Sequence, residues 1–460
     1  MQLSSHFKPY AFAKTLPAEG LWPVGNLRLI AAAALIVLAF VPLVPGVDVL
    51  EGGATTRGFI EFGLILAGLL LLAIYLKEQG AFSFDFKSPV FLLISLFTFW
   101  GVLSSLWSPN PVLTIAKSAE LWCISLAALM LVTLAVRSHM TNGKLETVLG
   151  LSMVAVIGGL VLANFYYWGM PLPNTSDTSL PLHLFTEEPS LDRPQLILAY
   201  QHPLLTGDLL ALSVICLFVS DLRKVWKAML ISCLLAMLWL ADARGPTGGL
   251  LVAVVAVGVL KLRRNDVRVI VVMLAISICL GAGLFFQDRL PAAFSSLMTD
   301  DVSTLNSRTD LWARILTHDL GQPIVGIGYF ASRYVLVKDF EWAGHAHNSF
   351  LEVLITTGVI GLLMLCAFMI LVFKEILTTR NAWLLGVTLY CLIQGTLNPL
   401  LFSPGLAMFV ITIAVLNAGF KNPPEKYVSR LERAPVPPVG GQVRFLNEHG
   451  KEQAAQRGKE

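Results

Sequence analysis

Long uninterrupted apolar runs alternate along this chain with short polar connections, and most runs have the length of a membrane span rather than of a surface helix or strand. A helix needs about 20 apolar residues to cross roughly 30 Å of hydrocarbon. On that rule helices are expected near 29–47, 58–76, 89–107, 117–136, 146–168, 203–220, 225–242, 247–262, 268–286, 349–373, 382–399 and 403–419. The expected fold is therefore all-α, a polytopic integral membrane protein of about 12 transmembrane helices. The first run follows Lys8 and Lys14 and ends in Pro42-Leu43-Val44-Pro45 without a small-residue cleavage site. It reads as a first membrane helix and not as a removed signal peptide.

Polar positions then give the chain its sides. Short loops after alternate spans hold Lys77 and Lys87, Arg137 and Lys144, Arg223 and Lys224, Lys261, Arg263, Arg264 and Arg268, and Lys374 and Arg380, whereas the opposite short loops hold little beyond Arg57, Lys117 and Arg244. The Lys/Arg bias puts the first set in the cytoplasm, with both termini. Segment 1–28 is then a cytoplasmic N-terminal piece, 29–286 carries spans one to nine with an outer loop at 169–202, 287–348 is a larger outer loop, and 349–419 carries spans ten to twelve. The shorter outer loop gathers Asp177, Glu187, Glu188 and Asp192. The stretch 420–460, with Pro435-Val436-Pro437-Pro438 and mixed charges, reads as a mobile cytoplasmic tail.

Composition agrees with a chain dissolved in lipid. Only 14% of residues are charged and 55% are hydrophobic, against roughly 25% charged in soluble domains. A net charge of +3 is too small to imply a nucleic-acid partner. Cys123, Cys216, Cys233, Cys279, Cys366 and Cys391 lie inside apolar runs without CxxC spacing, so neither a disulfide nor a zinc site is expected. No internal repeat supports an inverted-repeat transporter.

The outer loop 287–348 carries the chemistry. Ser307-Arg308-Thr309-Asp310 is a capping arrangement, and Leu311, Trp312 and Ile315 recur at helical spacing until Gly321 and Pro323 stop the run. An amphipathic helix of about a dozen residues is expected at the membrane surface, with Arg308 and Arg314 above its apolar face. The loop re-enters the membrane through Gly344-His345-Ala346-His347-Asn348-Ser349, and His347, Leu351, Leu354, Gly358 and Gly361 fall at offsets that share one helical face. Arg244, in Ala241-Asp242-Ala243-Arg244-Gly245-Pro246, belongs to the same side, as do Asp208 after His202-Pro203 and Lys117 with Glu120. Ionisable groups at such depth line a water-filled cavity or pair with each other. Together they are expected to outline a cationic, partly buried pocket.

His347-Asn348, nine residues, Gly358, two residues and Gly361 resemble the His-Asn…Gly-x-x-Gly signature of the bacterial O-antigen ligase and polysaccharide polymerase superfamily (WaaL and Wzy types). Ser307-Arg308-Thr309-Asp310-Leu311-Trp312 resembles the Ser/Gly-Arg-x-x-x-Trp motif of that family's large periplasmic loop, and Ala243-Arg244-Gly245 its Ser-Arg-Gly turn. Order, sidedness and spacing agree over roughly 190–365; where the family has Arg-x-x-x-Leu, this chain has Gly248. The run Thr304 to Trp312 looks closer to exopolysaccharide polymerases than to ligases.

The resemblance implies a GT-C-like inner-membrane glycosyltransferase without cofactor or metal. Its donor would be an oligosaccharide on undecaprenyl diphosphate, and its acceptor a lipid-linked repeat unit or lipid A-core. A chain-length regulator or export machinery would be its partner. Departure of the diphosphate develops negative charge, which guanidinium groups bind bidentately, the role of Arg308 and Arg244. The acceptor hydroxyl must lose a proton as it attacks, a task suited to the His347 imidazole. Alternatives stay open at each position. His347 either caps a helix or acts as the base, and His345 either shares the site or belongs to the loop. Arg244 either binds phosphate or pairs with Asp242, while Arg308 and Arg314 are either ligands or snorkelling charges. Asp208, Lys117 and Glu120 either line the pocket or form internal pairs, and Trp312 either anchors the interface or stacks on sugar. Asn348 is a further substrate-binding candidate. Gly326 and Gly328 lack the strand-to-helix setting of a phosphate loop. A lipid-linked sugar flippase would instead spread its charges through the depth of the spans and need no His347.

Overall fold

The computed structural model describes residues 24–41, 56–79, 86, 88–138, 140, 143–168, 185–186, 195–196, 203–241, 243–261, 308–317, 322–338 and 343–421. Its helices are α1 Val24–Ala39, α2 Thr56–Glu78, α3 Pro89–Leu103, α4 Pro111–Arg137, α5 Lys144–Trp168, α6 Pro203–Val219, α7 Lys224–Leu240, α8 Arg244–Lys261, α9 Arg308–Thr317, α10 Arg333–Leu336, α11 Ser349–Thr379, α12 Ala382–Gly395 and α13 Leu406–Lys421. Two short strands, β1 Phe185–Thr186 and β2 Gln195–Leu196, pair antiparallel between α5 and α6. A helix stands at each expected span except 268–286, which lies outside the described residues. Also outside them are the N-terminal lysines, the acidic residues of 169–202, Asp242, Ser307 and the tail beyond Lys421. The first compact unit runs to Ala418; of the second, Gly419–Glu460, only the end of α13 is described.

Among the described residues, five helices are long and apolar enough to cross a membrane: Gly58–Glu78, Pro89–Leu106, Pro111–Arg137, Lys144–Ala163 and Ser349–Thr379. Shorter apolar helices accompany them at Leu27–Ala39, Leu204–Val219, Arg244–Leu260, Ala382–Gly395 and Leu406–Phe420. Phe59, Leu70, Phe99 and Ile370 are exposed on these helices, and Trp239 on α7, the pattern of surfaces that meet lipid rather than water. Several hydroxyls inside these helices are satisfied by their own backbone, for example Ser118 donating to the Thr114 carbonyl, Ser213 to Leu209 and Thr412 to Met408. That local bond is what makes them tolerable in hydrocarbon. Among the described residues the fold is all-helical apart from the β1–β2 pair, and its apolar helices are those of a polytopic membrane protein.

Side-chain caps and small residues set the helix boundaries and approaches. Asn110, Asn348 and Asn381 each precede a helix and accept backbone N–H bonds from its first turn, which satisfies donors that the helix itself leaves open. Along the α8–α12 contact, a methyl group built on Gly249 would stand 3.2 Å from the Tyr390 ring, and one on Gly386 would stand 2.8 Å from Val257. Small residues at such contacts let backbones close up where no water drives association.

The feature that organises one end of the bundle is a break in α11. Gly358 has φ 71 and ψ −168 inside the otherwise helical run Ser349–Thr379, a region only glycine enters cheaply. The interruption frees backbone groups on both of its sides, and the segment 322–328 takes them up. Ile327 and Gly328 donate to the carbonyls of Ile355 and Thr356 at 3.0 and 2.9 Å, while Val359 and Ile360 donate to Pro323 and Ile324 at 2.8 and 3.3 Å. The indoles of Trp100 and Trp107 complete the seam, donating to Thr357 at 3.0 Å and to Gly326 at 2.9 Å. Gly326 and Gly328 therefore serve close backbone packing, as their φ values of 71 and 116 require.

This corrects the expected face of α11. His347 does not sit on the helix: it precedes the Asn348 cap, with φ 48. Gly358 does not continue that face either, because its backbone leaves the helix. Periodicity counts offsets as if the helix were unbroken, and here it is broken by the residue that the count used. Gly361 does accept a close neighbour, with Phe97 3.3 Å from where its Cβ would stand.

Gly358→Ala must force a side chain into the left-handed region against the Ile324 carbonyl. We expect a loss of about 1–3 kcal/mol, seen as a lower thermal midpoint of the detergent-solubilised protein. Gly248→Ala, at a helical glycine with open space around it, should be neutral or raise stability by up to ~1 kcal/mol.

Candidate functional site

The segment 343–348 delivers two imidazoles beside the start of α11. Its backbone is buried at Ala343 and Ala346, and these pack with Leu311, Ile315, Leu336 and Ile355 into one apolar cluster. The left-handed conformation of His347, unusual for a residue with a Cβ, turns its ring back toward His345. The ring centroids lie 4.0 Å apart at 51°, and the His347 backbone N–H donates to His345 Nδ1 at 3.2 Å. In that arrangement Nδ1 of His345 is an acceptor, so the His345 proton belongs on Nε2.

Both histidines line a cavity of about 490 Å³. One side of it is apolar, built by Val37, Phe40 and Val41 after α1, by Leu204, Leu205 and Leu209 of α6, and by Leu400 to Ala407 before and within α13. The other side is polar. Lys117 bonds Glu120 at 2.7 Å and pairs with Glu61 at 3.8 Å. Phe330, with φ 63, lies between two cations, Lys117 Nζ at 5.5 Å and Arg333 Cζ at 5.4 Å from its ring centre. Glu352 accepts from the Ser332 hydroxyl at 2.6 Å and from the Ala346 N–H at 2.8 Å. Tyr329 closes the floor: its hydroxyl donates to the Phe402 carbonyl at 3.0 Å and its backbone N–H to Ser104 Oγ at 2.9 Å. Burial, reinforced by the Glu120 and Glu352 charges, holds that phenol well above its usual value and so keeps it neutral.

The expected cationic pocket is instead mixed. Lys117 and Arg333 stand against Glu61, Glu120, Asp208 and Glu352 in its lining. Each carboxylate is engaged, and Asp208 is the deepest. Only 4% exposed, it accepts at Oδ1 from the Tyr390 hydroxyl at 2.5 Å and from Gln394 at 3.0 Å. Sequence reading missed this because it counted arginines from motifs and could not see which of them the fold turns toward the cavity.

Other sequence candidates fall outside the lining. Arg308, the first residue of α9, donates to the Leu397 carbonyl at 3.0 Å, next to the cavity residue Asn398. Burial lowers its guanidinium pKa from the ordinary value. Arg244 opens α8 and is exposed, beside Gly245, which closes on Gln394. Arg314 is half-buried on α9. Trp312 donates its indole N–H to the Ala346 carbonyl at 2.9 Å. Asn348 caps α11 with Oδ1, at 2.9 Å from Phe350 N and 3.1 Å from Leu351 N, and its amide reaches the Thr396 carbonyl at 3.3 Å. The α9 helix is ten residues long and buries Leu311 and Ile315 as its spacing predicts. Glu61, Arg333 and Glu352 were not anticipated; Glu352 alone had a signal, as a carboxylate one turn past an Asn cap.

Residues 209–366 match a protein-family model described as O-antigen ligase. No curated protein matches the chain. The matched segment contains Arg244, Arg308, the two histidines and the Gly358 break. Over that segment, about a third of the chain, the protein is similar to the O-antigen ligase family.

Proposed function

We propose that the protein is an inner-membrane glycosyltransferase. It moves glycan from undecaprenyl diphosphate to a sugar hydroxyl at the periplasmic face, and it most directly serves to polymerise lipid-linked repeat units. The observation that carries this reading is the two-sided cavity: an apolar wall suited to a polyprenyl chain faces a polar wall that ends in paired imidazoles. A free sugar would need no apolar wall of that kind, and a lipid alone no histidine pair.

In the reaction an acceptor oxygen attacks the anomeric carbon while the bond from that carbon to the diphosphate oxygen breaks. The electron pair leaves with undecaprenyl diphosphate, and the acceptor's proton passes to His347. A single displacement of this kind inverts the anomeric centre. Developing charge on the leaving group would be met by Arg308 and Arg244. Among the carboxylates of the cavity, Glu61 and Glu120 share the Lys117 cation, and Asp208 and Glu352 accept hydrogen bonds, so the donor's own charge has to be met by the guanidinium groups. The family description favours a second reading, a ligase that attaches finished glycan to lipid A-core. It shares donor, base and cavity and differs in acceptor.

Replacing His347 by Ala in liposome-reconstituted protein should lower transfer by about 10²–10⁴-fold, the usual worth of a general base, with donor binding retained; unchanged turnover contradicts the role. Arg308→Ala should weaken donor binding, measured by titrating lipid-linked donor into nanodiscs, and equal affinity would remove Arg308 from the diphosphate site. Glycan analysis of a deletion strain separates the two acceptors. Loss of a polymerase accumulates single lipid-linked repeats, and loss of a ligase accumulates long lipid-linked polymer.

A further inference from the structure

The His345–His347 turn is strained at His347, with φ 48, and is gripped by side chains from other elements. A left-handed residue with a side chain costs roughly 1–2 kcal/mol and persists where its surroundings over-determine it. Within the turn the His347 N–H donates to His345 Nδ1 at 3.2 Å. Further restraint comes from two side chains that converge on Ala346 from different elements. Glu352 Oε2 accepts the Ala346 N–H at 2.8 Å, and Trp312 Nε1 donates to the Ala346 carbonyl at 2.9 Å. These two groups belong to the two peptide units that join the histidines, so both planes between the imidazoles are held.

We propose that Glu352 and Trp312 are positioning residues that set the two histidines at the cavity edge, a role that rests on the transferase reading and deepens it. Each is itself anchored. Glu352 lies in the first turn of α11, where the helix dipole favours a carboxylate, and its second oxygen takes the Ser332 hydroxyl at 2.6 Å. One carboxylate thereby ties α11, the histidine turn and the start of α10. Trp312 packs on the cluster of Leu311, Ile315, Ala343 and Ala346, so α9 holds the turn from the opposite side. The indole N–H is thus committed to the turn. An amphipathic helix and a membrane helix are in this way coupled through a single alanine.

The test is chemical modification of the full-length protein in nanodiscs with diethyl pyrocarbonate, followed residue by residue by mass spectrometry. It needs no knowledge of the sugar substrate. Glu352→Ala and Trp312→Phe should each raise the modification rate of His347 about three- to tenfold, the population change that one lost hydrogen bond produces, with the other six of the eight histidines outside the turn unchanged. Glu352→Gln keeps an oxygen for the Ala346 N–H and should restore most of the protection. In a transfer assay Trp312→Phe, at a residue outside the cavity lining, should lower kcat and leave KM within about twofold, since it moves the base and not the binding surface. An unchanged His347 rate in both variants, or an equal rise at all histidines, overturns the proposal. If Glu352→Ala does not fold, Trp312→Phe and Ser332→Ala carry the same comparison. Protection of His347 is read even from a protein with no transfer activity, so failure of this inference and failure of the transferase reading remain distinct.

Discussion

Everything at the polar end of this molecule depends on a helix that is interrupted at one glycine. In hydrocarbon, backbone donors and acceptors must find partners within the protein, so a broken span is unstable unless another segment supplies them. Here the segment 322–328 does so, bonding on both sides of Gly358. Because that segment is held edge-on to α11, the residues that follow it, Tyr329 to Arg333, are brought over the start of the same helix. The break is therefore the means by which a long connection acquires a fixed place against the spans, and the cavity takes its floor from it.

From that anchor the polar wall is assembled by pairing rather than by accumulation of charge. Lys117 is shared by Glu61 and Glu120, Tyr390 and Gln394 donate to one oxygen of Asp208, and Ser332 and the Ala346 N–H donate to the two oxygens of Glu352. Buried charges are costly until they are paired, and the pairing draws on α2, α4, α6, α10, α11 and α12. The consequence is a cavity that presents fixed dipoles and imidazoles to an incoming ligand, with little net positive field. An anionic donor would then be held by specific guanidinium contacts rather than by general attraction, which is where Arg308, with its partly buried guanidinium beside Asn398, has its place in the account.

The apolar helices were legible in the sequence because apolar run length is a direct physical requirement of the bilayer, and the caps at Asn110 and Asn381 fall at polar positions between those runs. Leu311 and Ile315 were legible for the same kind of reason: amphipathic spacing reports a face. Legibility failed where one residue overrides a period. Gly358 looks like a helical glycine in a list of offsets, and only its φ of 71 shows that it ends one helix and starts another. His347 was found by its motif but placed on the wrong element, since its left-handed turn has no spacing signal. Glu352 and Trp312 were invisible as a pair because their shared partner is the backbone of Ala346, and alanine carries no chemical signature.

The central claim is that the two-sided cavity holds a polyprenyl diphosphate with its charged end at the histidine turn. The most direct measurement is photo-crosslinking of the reconstituted protein with a polyprenyl diphosphate that carries a diazirine in its chain, and mapping of the labelled peptides. The account predicts label on Leu204 to Leu209 and on Leu400 to Ala407, the apolar wall of the cavity, competed by excess unlabelled polyprenyl diphosphate. Label confined to exposed faces such as Phe59, Leu70 and Trp239, without competition, would contradict it.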